Sequence, residues 1–475
     1  MRDYALIYLN GHQHRIRGAE VFMMLADYLR SRVRLCGTKI VCAEGDCGAC
    51  TVLIYRWGQK KCEFIPINAC IASMAQLDLC FVLSVEAMKT AQGLSAVQKA
   101  MIKHGASQCG FCTPGFVMAL SALRQKAGNL SLQQVKNALT GNLCRCTGYQ
   151  SIIDAALSID QSQLESLTDY WLKPELLKEF EYSSQQALII SANEQQFYAP
   201  LSLADAATYL SAHPDARLLS GSTDLGVAVN KAKHQHQRVL SLHLISELYE
   251  LSDDKLRIMI GARVSLEELR HFCRKRVPDF ARFINIFASP QIKNMATLIG
   301  NIANASPIGD TLPFLMVSDS LVHVCSGQGK RVIALENLFT GYKSLSLKPG
   351  EFISHISFAL PSIEHHVRLE KVSQRRDLDI ACINAAFSFR LIKNKINEPK
   401  IAFGGMGPKV VRLSQTEQFL NNQYLSHGLI EQAAQYLQQE INPLSDLRGS
   451  SNFRRKLADG LFKHFCQGLL EPGHA

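Results

Sequence analysis

Fifteen cysteines stand in a chain of 475 residues, and eleven of them fall before residue 150. Cys42, Cys47 and Cys50 follow the spacing C-x4-C-x2-C, and Cys70 lies further on. That is plant-type ferredoxin spacing for a 2Fe–2S cluster. A cluster of negative charge and soft sulfide needs four converging thiolates. Gly45, Gly48 and Ala49 let the backbone curl close and aim N–H groups at the sulfurs. Buried free cysteines or a four-cysteine zinc site are the alternatives, and the uneven spacing disfavours zinc. A second group, Cys109-Gly-Phe-Cys112 with Cys144-Arg-Cys146, is less specific, because its spacing serves zinc as well as iron–sulfur. Cys112 would face a helix N-terminus, whose dipole favours thiolate. Cys36, Cys62, Cys80, Cys273, Cys325, Cys382 and Cys466 show no ligand spacing and are expected to be packing residues.

One further segment bears on chemistry. Leu218-Leu-Ser-Gly-Ser-Thr-Asp-Leu places Gly221 between a strand-like and a helix-like stretch. Backbone N–H groups there, with Ser222 and Thr223, suit phosphate, although an ordinary turn uses the same residues. The chain has no G-x-G-x-x-G, so no Rossmann site is indicated.

The elements that must position these residues are partly legible. Alternation over 4–9 followed by Asn10-Gly11 predicts a hairpin. Val21, Met24, Leu25, Tyr28 and Leu29 have the period of an amphipathic helix, and a small mixed domain is expected to end near residue 80. From about 84 to 160 the pattern is helical. Thr113 is expected to cap a helix with Pro114 at its first position, Ser131 and Gln134 form a capping-box pattern, and another helix begins near 151. Residues 160–195 are polar and read as a linker draped over the surface. The remainder mixes short strands and helices.

Length gives a prior of roughly three domains. With 47% hydrophobic and 19% charged residues, the composition is that of a folded globular protein. No stretch approaches the ~20 apolar residues of a membrane span, and the N-terminus lacks the features of a signal peptide. A cytoplasmic location is expected, with thiols rather than disulfides. The net charge of +10 is not gathered into a tail or stripe, so neither nucleic acid nor membrane is expected as a partner.

Three strings go beyond spacing: Cys42-Ala-Glu-Gly-Asp-Cys-Gly-Ala-Cys-Thr-Val, Gln108-Cys-Gly-Phe-Cys-Thr-Pro-Gly and Gly141-Asn-Leu-Cys-Arg-Cys-Thr-Gly-Tyr. They resemble the xanthine dehydrogenase/aldehyde oxidase family. The resemblance covers nearly the whole chain and implies an α+β multidomain fold. A β-grasp ferredoxin-like domain would occupy 1–83 and a four-helix-bundle 2Fe–2S domain 84–160. A linker at 161–195 would lead to an FAD-binding domain of the vanillyl-alcohol-oxidase-like type at 196–365, then a small C-terminal α+β subdomain at 366–475. Two 2Fe–2S clusters are implied, one on Cys42, Cys47, Cys50 and Cys70, the other on Cys109, Cys112, Cys144 and Cys146. FAD would be held by Leu219, Ser220, Gly221, Ser222, Thr223, Asp224 and Leu225. Phe287, Thr297, Asn301, Asp310, Ile353 and Lys371 would complete its site. The loop Ser373-Gln-Arg-Arg-Asp-Leu-Asp-Ile-Ala resembles one that tunes the flavin and admits NAD. Val41, Asp46 and Ile299 replace glycines common in the family; none is a ligand, and the added Asp46 carboxylate is expected to lower the nearby potential.

No stretch resembles a molybdopterin-binding domain, so no catalytic residue is assigned. The resemblance implies an oxidoreductase subunit for electron transfer. A large molybdenum-cofactor-binding partner, in an (αβ)2 heterotetramer, would oxidise hypoxanthine or xanthine, and electrons would pass through both clusters to FAD and on to NAD. Gln108 would face the pterin. The alternatives are a related molybdenum hydroxylase acting on aldehydes or N-heterocycles, or a zinc-stabilised scaffold without redox function.

Overall fold

The Asn10-Gly11 turn forms as its residue types require. Both residues take positive φ, 48° and 90°, and fold the strand Ala5–Leu9 back onto His12–Ile16. The computed structural model describes residues 1–59, 61–91, 93–125, 128–231 and 236–471. The chain divides into two units, Met1–Ser246 with Ala288–Ala296, and Glu247–Phe287 with Thr297–Ala475.

In the first unit the hairpin belongs to a five-stranded mixed sheet, ordered His12–Ile16, Ala5–Leu9, Cys80–Leu83, Thr51–Arg56, Ile65–Asn68. Ala5–Leu9 and Cys80–Leu83 pair in parallel and the other pairs are antiparallel. The helix Leu25–Ser31 buries Leu25, Ala26, Tyr28 and Leu29 against it, a β-grasp arrangement. The single helix expected from Val21 to Leu29 is broken in two. Met24 is extended and bridges to Ser73, so tertiary pairing overrides the local period.

Four helices follow, Ala96–Lys103, Thr113–Arg124, Leu132–Leu139 and Gln150–Ser158. The capping box of Ser131 and Gln134 closes in both directions. The expectation for Thr113 is corrected: Cys112 occupies the cap position, without a side-chain cap, and the Thr113 hydroxyl meets Ser107 at 2.9 Å.

The polar stretch read as a surface linker is built differently. It carries the helices Leu167–Trp171 and Pro174–Ser184 and the strand Leu188–Ala192. Leu176 and Phe180, four residues apart on one helical face, are buried, and Phe180 meets Tyr8 edge-on at 5.6 Å. A few apolar anchors at helical spacing suffice to dock the segment, although its average composition is polar.

The strands Arg217–Leu219, Arg238–Ser241, Gln195–Ala199 and Leu188–Ala192 form a four-stranded sheet, in that order, parallel except at the last pair. Leu188, Ile190, Phe197, Leu219 and Val239 share one apolar core with Leu25, Ile67 and Ile71 of the ferredoxin-like part. A buried ion pair crosses the same region. Arg2 meets Asp78 through two hydrogen bonds of 2.7 and 2.8 Å, and Asp78 also accepts from Leu6 N–H and lies 3.1 Å from His243 Nε2.

The second unit holds an antiparallel sheet, ordered Leu251–Asp253, Arg257–Gly261, Phe352–Ala359, Leu321–Ser326, Gly329–Ala334. Helices Leu266–Cys273 and Pro278–Phe287 accompany it. The strands His365–Val372, Ile383–Ile392, Lys395–Gly404 and Val411–Arg412 form a second antiparallel sheet. The helices Ser414–Leu420, His427–Glu440 and Ser451–Leu470 bury Leu420, Ile430, Leu437 and Phe462 in a core with Phe387 and Phe403 of that sheet. The architecture is the expected multidomain α+β one.

Candidate cofactor sites

The first cysteine loop folds as its glycines allow. Ala43, Gly45 and Gly48 all take positive φ, which brings Cys42, Cys47 and Cys50 back toward Cys70. Cys42 hydrogen-bonds with the thiols of both Cys47 and Cys70, and Cys50 with that of Cys70. Backbone N–H groups surround the sulfurs: Glu44 and Cys47 donate to Cys42 Sγ at 3.5 and 3.4 Å. The backbone at Ala49, Gly45 and Cys70 favours the thiolates of Cys47, Cys70 and Cys50 respectively. Asn68 Nδ2 approaches Cys50 Sγ at 3.9 Å. The Cys47 and Cys70 contacts, opposed by burial, hold the Cys42 thiol well below its ordinary range. Such a nest of donors suits sulfur that carries negative charge.

In the second set Cys112 stands at the N-terminus of Thr113–Arg124, and Cys144 and Cys146 lie in the loop before Gln150–Ser158. The thiols meet as Cys112 with Cys144 and Cys109 with Cys146. Burial and the Cys144 contact push Cys112 up to about 12. Cys144 is instead lowered: burial opposes this, but Thr147 donates to its sulfur from the hydroxyl at 3.1 Å and from the backbone at 3.5 Å. In this second set the thiols approach in two pairs, which fits a dinuclear cluster in which each iron takes two thiolates. Of the seven other cysteines, Cys80, Cys273, Cys325, Cys382 and Cys466 are buried, as packing residues should be. Cys36 and Cys62 are exposed, which corrects their assignment to packing.

The two sets lie in adjoining domains that touch closely. A Cβ on Gly48 would sit 2.0 Å from the Gly141 carbonyl oxygen, so no larger residue fits there. Leu143 N–H, beside Cys144, donates to the Cys47 carbonyl at 2.9 Å. Spacing alone could not reveal this contact, because its partners are almost a hundred residues apart.

Still in the first unit, Leu219 ends a strand and is buried, Ser220 and Gly221 turn the chain, and Ser222 adopts left-handed backbone at φ 60°. The helix Thr223–Asn230, which includes Asp224 and Leu225, starts there without a side-chain cap. Its first-turn N–H groups thus suit phosphate oxygens. Gln76 Nε2 holds the Gly221 carbonyl at 2.9 Å, a support not visible in the sequence. A Cβ on Gly221 would lie 2.1 Å from the Met295 carbonyl oxygen. Overpacking of this kind costs about 1–3 kcal/mol, enough to weaken phosphate binding roughly five- to 150-fold. Gly221→Ala is therefore expected to purify depleted in flavin at unchanged iron content, read from absorbance and metal analysis. Full flavin occupancy would show that the loop does not carry the phosphates.

The other candidate flavin residues lie in the second unit. Phe287, partly exposed, ends the helix Pro278–Phe287. Thr297 caps the helix Leu298–Ala303 through Gly300 N–H, and Asn301 Oδ1 accepts from the Thr311 hydroxyl at 2.6 Å. Asp310 and Lys371 are brought together as a buried ion pair of 2.7 Å, and Asn384 Nδ2 donates to the same carboxylate at 2.9 Å. Burial raises the Asp310 carboxyl above its ordinary range, against the pull of Lys371 and Asn384. Ile353 is buried in the five-stranded sheet, opposite Val324. Asn384 carried no motif, and only the pairing of its strand places it here. In the same unit a cavity is lined by Asp279, Arg282, Phe283, Arg368, Glu370 and Arg376. Arg282 pairs with Asp279 and Arg368 with Glu370, so the lining carboxylates offset two of its three guanidinium groups.

These features define the class of protein. Residues 84–157 match the [2Fe-2S] binding domain, 192–361 the FAD binding domain in molybdopterin dehydrogenase, and 369–469 the CO dehydrogenase flavoprotein C-terminal domain. The chain thus carries stretches that match a [2Fe-2S] binding domain and two flavoprotein domains, and it is similar to xanthine dehydrogenases over most of its own length. It is 34% identical over 517 aligned residues to xanthine dehydrogenase of Drosophila subobscura, covering 96% of this chain and 38% of that one. It therefore spans well under half of that relative's length. Among solved structures, carbon monoxide dehydrogenase from Hydrogenophaga pseudoflava has the same fold over 56% of this chain and 94% of its own, with a TM-score of 0.54 at 22% identity. Quinoline 2-oxidoreductase from Pseudomonas putida 86 covers 57% and 97%, with a TM-score of 0.53 at 22% identity. No helix among the described residues is long and apolar enough to cross a membrane.

Proposed function

We propose that this chain is the iron–sulfur and flavin electron-transfer subunit of a molybdenum-containing xanthine dehydrogenase. The observation that carries the reading is its alignment with xanthine dehydrogenase over 96% of its length. Cys42, Cys47, Cys50 and Cys70 would hold one 2Fe–2S cluster, and Cys109, Cys112, Cys144 and Cys146 the other. Bound there, the clusters would supply one-electron steps and FAD the adaptor between single electrons and the two that NAD takes. The residues' own work is to hold and to tune. The N–H nest around Cys42 stabilises charge on sulfur. The open helix start at Ser222–Leu225 in the first unit would receive the pyrophosphate; in the second unit Asp310, Lys371 and Asn384 hold one another in a buried polar cluster. Arg376, within the loop 373–381, lines the cavity described above and would meet a phosphate of NAD there. Gln108, beside Cys109, would face a large molybdenum-binding partner in a heterotetramer.

Iron, acid-labile sulfide, zinc and flavin should be measured on anaerobically purified protein. About four irons and one FAD per chain are expected. Zinc in place of iron, with no flavin, would leave only a scaffold. Xanthine-dependent NAD reduction by the complex with its partner tests the substrate; turnover of aldehydes or N-heterocycles alone would move the assignment to a related hydroxylase.

A further inference from the structure

The junction between the two cysteine-bearing domains is closed by three buried polar side chains. Thr51 follows Cys50 directly, Asn142 lies two residues before Cys144, and Gln291 comes from the separate segment Ala288–Ala296; their exposures are 2%, 2% and 1%. The Thr51 hydroxyl donates to the Gly48 carbonyl at 2.6 Å and accepts from Asn142 Nδ2 at 3.3 Å and from Gln291 Nε2 at 3.1 Å. Asn142 Nδ2 also reaches the Gly48 carbonyl at 3.0 Å, and its Oδ1 accepts from Gln291 Nε2 at 2.8 Å. Every hydrogen-bonding position of the hydroxyl is thus used. Gln291 Oε1 is left buried without a partner. An unpaired buried acceptor is costly, so filling space does not by itself explain a glutamine there.

We propose that Thr51, Asn142 and Gln291 are positioning residues that hold the two cysteine sets at one fixed separation for electron transfer between the centres they carry. The inference rests on the reading that both sets bind iron–sulfur clusters. Electron transfer and magnetic interaction between two centres both fall steeply with distance. A lock made by residues adjoining ligands on both sides, and bolted by a third segment, removes the freedom of one domain to shift on the other.

The test uses the full chain, reduced with dithionite and observed by electron paramagnetic resonance at low temperature. Wild type is expected to show splitting from interaction between its two reduced clusters. Gln291→Leu and Thr51→Val should keep wild-type iron and sulfide yet lose that splitting in whole or part, and Thr51→Ser, which restores the hydroxyl, should recover it. A merely structural role would lower the melting temperature without moving the splitting. Unchanged splitting in both Gln291→Leu and Thr51→Val overturns the proposal, as does a wild type with two non-interacting clusters. Fewer than two clusters in wild type overturns the functional reading instead. Should Gln291→Leu lose iron, Thr51→Val, a near-isosteric change, decides.

Discussion

A Cys42→Ser chain is expected to purify with about two irons in place of about four, and with its FAD unchanged. Cys42 is the hub of its set, since it touches the thiols of both Cys47 and Cys70 and receives N–H groups from Glu44 and Cys47. Serine supplies a harder oxygen that binds iron poorly and draws less from that nest. The second set sits on separate loops at the ends of the helices Thr113–Arg124 and Gln150–Ser158, and its thiols contact one another, so its cluster should survive. Cys109→Ser should produce the complementary loss. Iron and sulfide analysis with visible spectroscopy reads both variants. On the proposed function, xanthine-to-NAD turnover of the complex should fall to background in each, because the proposed relay runs through both centres. Full turnover in Cys109→Ser would sink the relay, and loss of all iron from either variant would show that the sets are not independent.

The largest stability effect should come from Asp78→Ala. Asp78 and Arg2 are buried together, with side chains 0% and 1% exposed. Truncation leaves the guanidinium in the core without its counter-charge, which costs about 3–5 kcal/mol. Burial alone would raise the Asp78 carboxyl, but hydrogen bonds from Arg2 and His243 outweigh it and hold it below the usual carboxylate range. The sign for pH follows. A carboxyl more acidic in the folded state contributes stability above its unfolded value, about pH 3.9, and loses it as pH falls through its folded value. Thermal unfolding from pH 7 down to pH 3 should show wild type losing its advantage over Asp78→Ala only at the acid end. An equal gap at pH 7 and pH 3, or no gap at pH 7, would remove the ion pair from the account.

The cysteine spacing, the Asn10-Gly11 hairpin, the Ser131–Gln134 capping box and the strand–turn–helix around Gly221 were legible because each is local: a few neighbouring side chains and φ angles decide them. The helices between 96 and 158 were legible for the same reason, but the expected helical start at 84 was not borne out: Val85–Met88 is a single tight turn, and Lys89–Thr90 pairs with Gly93–Leu94 as short strands. The 160–195 stretch misled because composition averages over residues, whereas docking depends on two or three anchors such as Leu176 and Phe180. Met24 left its helical period because pairing with Ser73 outweighed a weak local preference. Asn384, Gln76, Asn142 and Gln291 carry no motif and act through partners tens to hundreds of residues away. By itself the sequence determined what chemistry this chain is equipped for, since ligand identity and turn geometry are local properties. Only the tertiary structure decided which polar groups brace those ligands, because burial and hydrogen-bond partnership arise when distant segments pack.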